Sequence, residues 1–157
     1  MIRPPVVAGR FYPDNPKTLR SDLERYTAPR AGGLAAKACL VPHAGYMYSG
    51  GVAGAVYAAL DLPRLFVILA PNHFGNGAPL ALHPASEWET PLGRAQVDAV
   101  LACKILAAVP GIEEDTRAHD EHSLEVQLPF LAVSMYRVHV CPDRHWRGRL
   151  RDAGETG

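Results

Sequence analysis

Three features are scarce in this 157-residue sequence, and each scarcity removes a class of protein. No apolar run approaches the ~20 residues of a membrane span. Neither charge prevails: sixteen basic side chains meet sixteen acidic ones, which gives no reason to expect nucleic acid or an anionic membrane as partner. Cysteine is limited to Cys39, Cys103 and Cys141, an odd number at wide spacing that does not make a disulfide framework. Cys39 and Cys103 fall in apolar stretches and are expected as buried free thiols. The opening Met1-Ile2-Arg3-Pro4-Pro5 is not a signal peptide, so a soluble cytoplasmic protein is expected. By length the chain is one domain able to bury a core.

What is present is organised around two histidines. Leu40-Val41-Pro42-His43-Ala44-Gly45-Tyr46 places His43 where an apolar run ends, and Leu65 to Ala70 is a continuous apolar run of strand length followed by Pro71-Asn72-His73. Each proline removes a ladder donor and closes its strand. Between them, Ser49 to Leu60 is long enough for three helical turns, with Val52, Val56, Ala59 and Leu60 on one stripe. Interior glycines cost about 1 kcal/mol each, so Gly50, Gly51 and Gly54 imply that the helix lies close to a sheet or a ligand. Strand, helix, strand makes a parallel unit whose strand ends open on one edge, where ligands bind in open α/β sheets. His43 and His73 would then stand on strands roughly 5 Å apart if adjacent, or about 10 Å apart across one intervening strand. Either spacing lets two imidazoles share an ion, although a histidine after a strand also serves as a backbone-bonded loop residue.

Elsewhere, Val6 to Pro13 reads as an extended or turn segment. Asn15 and Pro16 start a helix carrying Leu19, Leu23 and Tyr26, and Pro29 to Gly33 ends it. Phe74-Gly75-Asn76-Gly77 is a turn-rich loop, Pro79 to His83 a short strand, Trp88 to Gly93 a loop with a packed tryptophan, and Asp98 to Val109 a helix. In His119-Asp120-Glu121-His122-Ser123-Leu124-Glu125-Val126-Gln127-Leu128-Pro129-Phe130-Leu131, Asp120 is expected to cap a helix with stripe Leu124, Leu128 and Leu131, kinked by Pro129. His119 and His122, three apart, would face one way, by itself a weak metal signal. From Val133 arginines accumulate without a helical or strand period, and a loosely ordered tail is expected.

Val41-Pro42-His43-Ala44-Gly45-Tyr46, Leu69-Ala70-Pro71-Asn72-His73 and Asp120 to Pro129 resemble the Memo family, also called AmmeMemoRadiSam system protein B. Ala8-Gly9-Arg10-Phe11-Tyr12-Pro13 and Trp88-Glu89-Thr90-Pro91-Leu92-Gly93 fit as well, and five blocks in order are far more specific than one motif. The resemblance covers residues 3–132. It implies an α/β fold with a parallel-containing sheet and helices on both faces, similar to class III extradiol dioxygenases, whose non-haem iron is held by two histidines and a carboxylate. It also implies metal ligation by His43 and His73, with His122 near the pocket, and with the family's third ligand, a cysteine of the C-terminal half, absent from this chain. Gly45, Tyr46, Asn72, Asp120 and Glu121, in the matched blocks, are expected to line that pocket. Family members continue further, so a truncated domain is expected at 1–132, with a divergent arginine-rich tail at 133–157 in which Cys141 is not promoted to the missing ligand.

The resemblance leaves two functions open. One is a non-catalytic Memo-family protein with a remnant site for Fe(II) or copper, having Amme-type or radical SAM proteins as possible partners. The other is an iron-dependent extradiol-type dioxygenase acting on a catechol-like substrate, with His122 as acid or base. An HD-type phosphohydrolase built on His119-Asp120 is disfavoured, because such proteins are all-helical and this chain carries apolar strands. An exposed half-sheet would also favour a homo-oligomer.

Overall fold

The computed structural model describes residues 1–28, 33–132 and 137–143. In chain order its elements are β1 (Ile2–Arg3), α1 (Pro16–Tyr26), α2 (Tyr46–Ala59), β2 (Leu65–Pro71), β3 (Ala81–Leu82), β4 (Glu87–Thr90), β5 (Gly93–Gln96), α3 (Ala99–Ala108), β6 (Glu113–Glu114), α4 (Leu128–Ala132) and β7 (Arg137–Asp143). Short 3-10 turns occupy Arg117–His119 and Glu125–Gln127. The main sheet runs β1-β4-β5-β7-β2, parallel throughout except for the β4–β5 hairpin, and β3 and β6 form a separate parallel pair. The mixed α/β class with a parallel-containing sheet is as expected.

Two helices start where their caps put them. The Asn15 side-chain oxygen accepts from the amides of Lys17 (2.9 Å) and Thr18 (3.2 Å), with Pro16 opening α1. That α1 buries Leu19 and Leu23 as its apolar spacing requires. Asp98 likewise accepts from the Leu101 amide at the start of α3. In α2 the glycines lie against α1, not a sheet or ligand: a Cβ on Gly54 would stand 2.5 Å from the Tyr26 Cβ. The buried side of α2 is Tyr46, Gly50, Ala53, Gly54 and Tyr57, while Val52, assigned to the stripe, is exposed.

Several expectations give way. Residues 36–43 form no strand; they stand off from β2 across a cavity, and Leu40 is 94% exposed. The parallel partner of β2 is β7, in register from Leu65↔Arg137 to Pro71↔Asp143. That strand lies within the segment expected to be a loose tail, whereas residues 144–157 are outside the described residues. Trp88 is packed as expected, at 1% exposure, but on a strand, with Pro91 and Leu92 turning the hairpin. Cys39 and Cys103 are free and exposed, not buried.

The single helix expected after Asp120 is also replaced, by an irregular segment, a 3-10 turn and α4, with Pro129 at the second position of α4 where a proline is tolerated. The cause is tertiary. Glu125, with no exposed surface, accepts from Arg3 Nη1 (2.7 Å), Tyr12 Oη (2.8 Å) and the amides of Val6 and Val7, the latter at 3.0 Å. Tyr46 Oη donates to the Val126 carbonyl at 2.8 Å. A regular helix would compete for that carbonyl and swing Glu125 off the N-terminal strand. Around these polar anchors pack Leu19, Trp88, Leu124, Leu128, Phe130 and Leu131.

Candidate metal centre

The first two histidines come from segments that leave the fold's core at neighbouring places. His43 ends the extended segment before α2, and its neighbour Pro42 is held by Gln127, whose Nε2 donates to the Pro42 carbonyl at 3.0 Å. His73 follows β2, fixed by Glu121, which accepts from the His73 amide (3.2 Å) and lies 2.7 Å from its Nδ1. The next residue, His122, stacks on His73 with ring centroids 4.8 Å apart and lies tilted against Phe11 at 4.3 Å. Nε2 of His43 and Nε2 of His73 are 3.3 Å apart, and one ligand atom from each of the three imidazoles lies within 4.8 Å of the others.

This arrangement suits a transition-metal ion. A carboxylate oxygen 2.7 Å from His73 Nδ1 can only accept there, which turns Nε2 toward the cluster as the nitrogen that would ligate. Two nitrogens each ~2.0–2.1 Å from one tetrahedral ion stand about 3.3–3.4 Å apart, which matches the His43 and His73 pair, while the His122 nitrogen, in a set spread over 4.8 Å, would have to close in to join them. Burial, and after it the neighbouring His73, holds His43 below the ordinary imidazole range. His122 is lowered by burial first and by His73 and His43 next, against the opposing pull of Glu121. A metal ion placed among the three rings can accept a lone pair from each.

The other expected pocket residues divide. Glu121 is at the centre and buried, also accepting from the Ser123 amide at 2.6 Å. Gly45 caps α2, next to the Phe11 carbonyl. Tyr46 is buried with its hydroxyl on Val126, a support of the site's floor. Asn72 turns inward and staples its own loop, donating to the Asn76 carbonyl (2.6 Å) and accepting from the Gly75 amide (3.0 Å). Asp120 is exposed and closes the Arg117–His119 turn at its C-terminal end; it does not start a helix as expected.

His119 does not join His122. It is 2% exposed beside His83 and Trp88, with the His83 and His119 rings perpendicular at 4.9 Å. Arg3 lies 3.9 Å above the Trp88 ring and donates to the carbonyls of His119 (2.7 Å) and Glu121 (3.1 Å). One guanidinium therefore ties down the backbone that carries Glu121 and His122. Sequence reasoning missed Arg3, Phe11, Glu125 and Gln127. A carboxylate and an amide inside the apolar run Leu124 to Leu131 were the available signal, since such groups stay buried only with partners.

A mixed α/β chain with a cluster of three histidines beyond a parallel strand defines a class of proteins with a candidate mononuclear metal site. A family model described as Memo-like protein matches residues 3–148, and the chain belongs to the Memo-like family. It is 41% identical to a MEMO1 family protein of Pyrobaculum aerophilum, across 99% of this chain and 60% of the relative. It is 46% identical to one of Pyrococcus furiosus, across 83% of this chain and 47% of the relative. A relative from Archaeoglobus fulgidus is 47% identical over 83% of this chain and 49% of its own length. The chain thus spans about half to three-fifths of these relatives.

Proposed function

We propose that this protein holds one Fe(II) or copper ion with His43, His73 and His122. The supporting observation is the meeting of three imidazoles, one of them oriented by a buried carboxylate. His43 and His73 are the two ligands that the family resemblance implies. His122 supplies a third nitrogen in place of the acid or base role, which makes this chain less dependent on a ligand from elsewhere. A bound ion would supply Lewis acidity toward an oxygen-donor ligand. The protein residues orient it: Glu121 sets the His73 ring, Phe11 covers the His122 face, and Gln127 fixes the chain before His43. We favour a metal-binding protein without turnover; an extradiol-type dioxygenase is the second reading, supported by the likeness of the histidine pair to that enzyme class.

Anaerobic calorimetric titration with Fe(II), Cu(I) and Zn(II) tests the site. One equivalent should bind to the unaltered protein and be lost in His43→Ala and His73→Ala, with His122→Ala strongly weakened. An unchanged isotherm in His122→Ala would return that residue to a role beside the metal. Oxygen uptake with catechol by the iron-loaded protein, abolished by His43→Ala, would establish the second reading.

A further inference from the structure

We propose that the cavity between residues 36–43 and β2 receives the uncharged, apolar body of a ligand whose oxygen-donor head reaches the three-histidine cluster. This rests on the metal-site reading and adds a ligand class to it. The cavity has a volume of about 450 Å³, within the ~300–1,000 Å³ range of small-molecule sites. His43 belongs both to its wall and to the cluster, and Pro71, also in the wall, leads to His73, so the cavity and the cluster meet at His43.

The wall chemistry sets the class. Among the described residues its larger side chains include Leu40, Val41, Phe66, Ile68, Leu69 and Leu131, and the one charged side chain is Asp61. Among the described residues the wall brings no lysine or arginine to a phosphate or carboxylate. Its polar groups near the histidines are committed to the protein: Gln127 Oε1 accepts from Tyr57 Oη at 3.0 Å, Gln127 Nε2 is bound to the Pro42 carbonyl, and Ser123 Oγ donates to the Pro71 carbonyl at 2.7 Å. The described side chains give a sugar body few partners, whereas an apolar body gains by leaving water. Among the described side chains, Asp61 apart, polar recognition is thereby left to the metal end.

The test titrates Zn(II)-loaded full chain with straight-chain hydroxamates from acetohydroxamate to octanohydroxamate. Hydroxamate is a chelating head, and each added methylene buried should tighten binding about fourfold until the cavity is filled. Leu69, 70% exposed on the wall, allows a charge to be placed there without disturbing the core. Leu69→Asp should abolish the chain-length gain while leaving acetohydroxamate affinity unchanged, and Val67→Asp serves if Leu69→Asp does not fold. Normal acetohydroxamate binding with no chain-length gain would overturn the cavity proposal and leave the metal site standing. A gain that survives both substitutions would also overturn it. Should no metal bind, octanol binding to the metal-free protein, lost in Leu69→Asp, would support the cavity and sink the metal reading. A dimer by light scattering that Leu69→Asp dissociates, with no ligand binding, would make the wall an interface between two copies and overturn the proposal.

Discussion

Two groups of histidines sit on either side of one short stretch, and they are built to opposite ends. His43, His73 and His122 gather with a carboxylate, Glu121, beside them and ring nitrogens free to face one another. His83 and His119 are enclosed with Trp88 under the positive charge of Arg3. The first environment welcomes a cation; the second repels one. Residue type alone did not separate them, because His119 and His122 are three positions apart and equally suited to metal by sequence. The neighbours decide: a carboxylate at 2.7 Å in one case, a guanidinium over the adjoining indole in the other.

Arg3 is the joint between the two groups, so its removal should have the largest effect. Arg3→Met leaves Glu125 buried without its cation and should cost roughly 3–5 kcal/mol of stability, read by urea unfolding. Metal affinity should fall with it, since the carbonyls of His119 and Glu121 lose their donor. Stability within 1 kcal/mol of the unaltered protein (roughly the scale of a surface pair) would sever the two groups. A smaller change is expected from Glu121→Gln, which should weaken metal binding about 10–100-fold in a chelator competition while keeping the fold. Equal affinity in that variant would mean that His73 is oriented by the chain alone.

The enclosed pair should show itself in acid. Burial holds His83 down to about 4 and His119 to about 3, with His83 itself the next influence on His119. The unfolded chain takes up these protons near pH 6.5, while the folded protein refuses them until about 4 and 3. Stability is therefore fully present above about pH 6.5 and declines as pH falls toward those values, by roughly 1.4 kcal/mol per pH unit for each histidine. His83→Gln and His119→Gln should each flatten a urea-midpoint profile between pH 6 and 4.5. An unaltered slope would place the acid sensitivity elsewhere. The smallest effect is the sharpest discriminator: in His43→Ala/His73→Ala, His83 and His119 should bind no Zn(II), and a residual equivalent would erase the distinction.

Much of the framework was legible because it depends on local chemistry. The Asn15-Pro16 and Asp98 caps start α1 and α3, and the apolar run Leu65 to Ala70 is β2. His43 and His73 do meet, although the first of the two proline-terminated runs expected as strands forms none. Trp88 shows a missed signal: Glu87, Trp88, Glu89 and Thr90 alternate in burial, the period of a strand, but the following proline and glycine read as a loop. What followed Asp120 was not readable locally. Glu125 and Val126 look helical until their partners, Arg3, Tyr12 and Tyr46, are known, and these lie 80 or more residues away. The cavity likewise depends on how far residues 36–43 stand from β2, a distance no periodicity contains.

The Arg3 to Glu125 contact also sets a clock. Its partners are 122 positions apart, so the segment carrying Glu121 and His122 cannot be tied down until nearly the whole described chain has been made. At a synthesis rate of about 5–20 residues per second, α1 and α2 have seconds in which to pack before their last anchor arrives. Closing so long a loop is among the slowest entropic steps open to a domain of this size. The histidine cluster is therefore completed only after α1 and α2 have been made, and an ion that reaches it meets helices already in place.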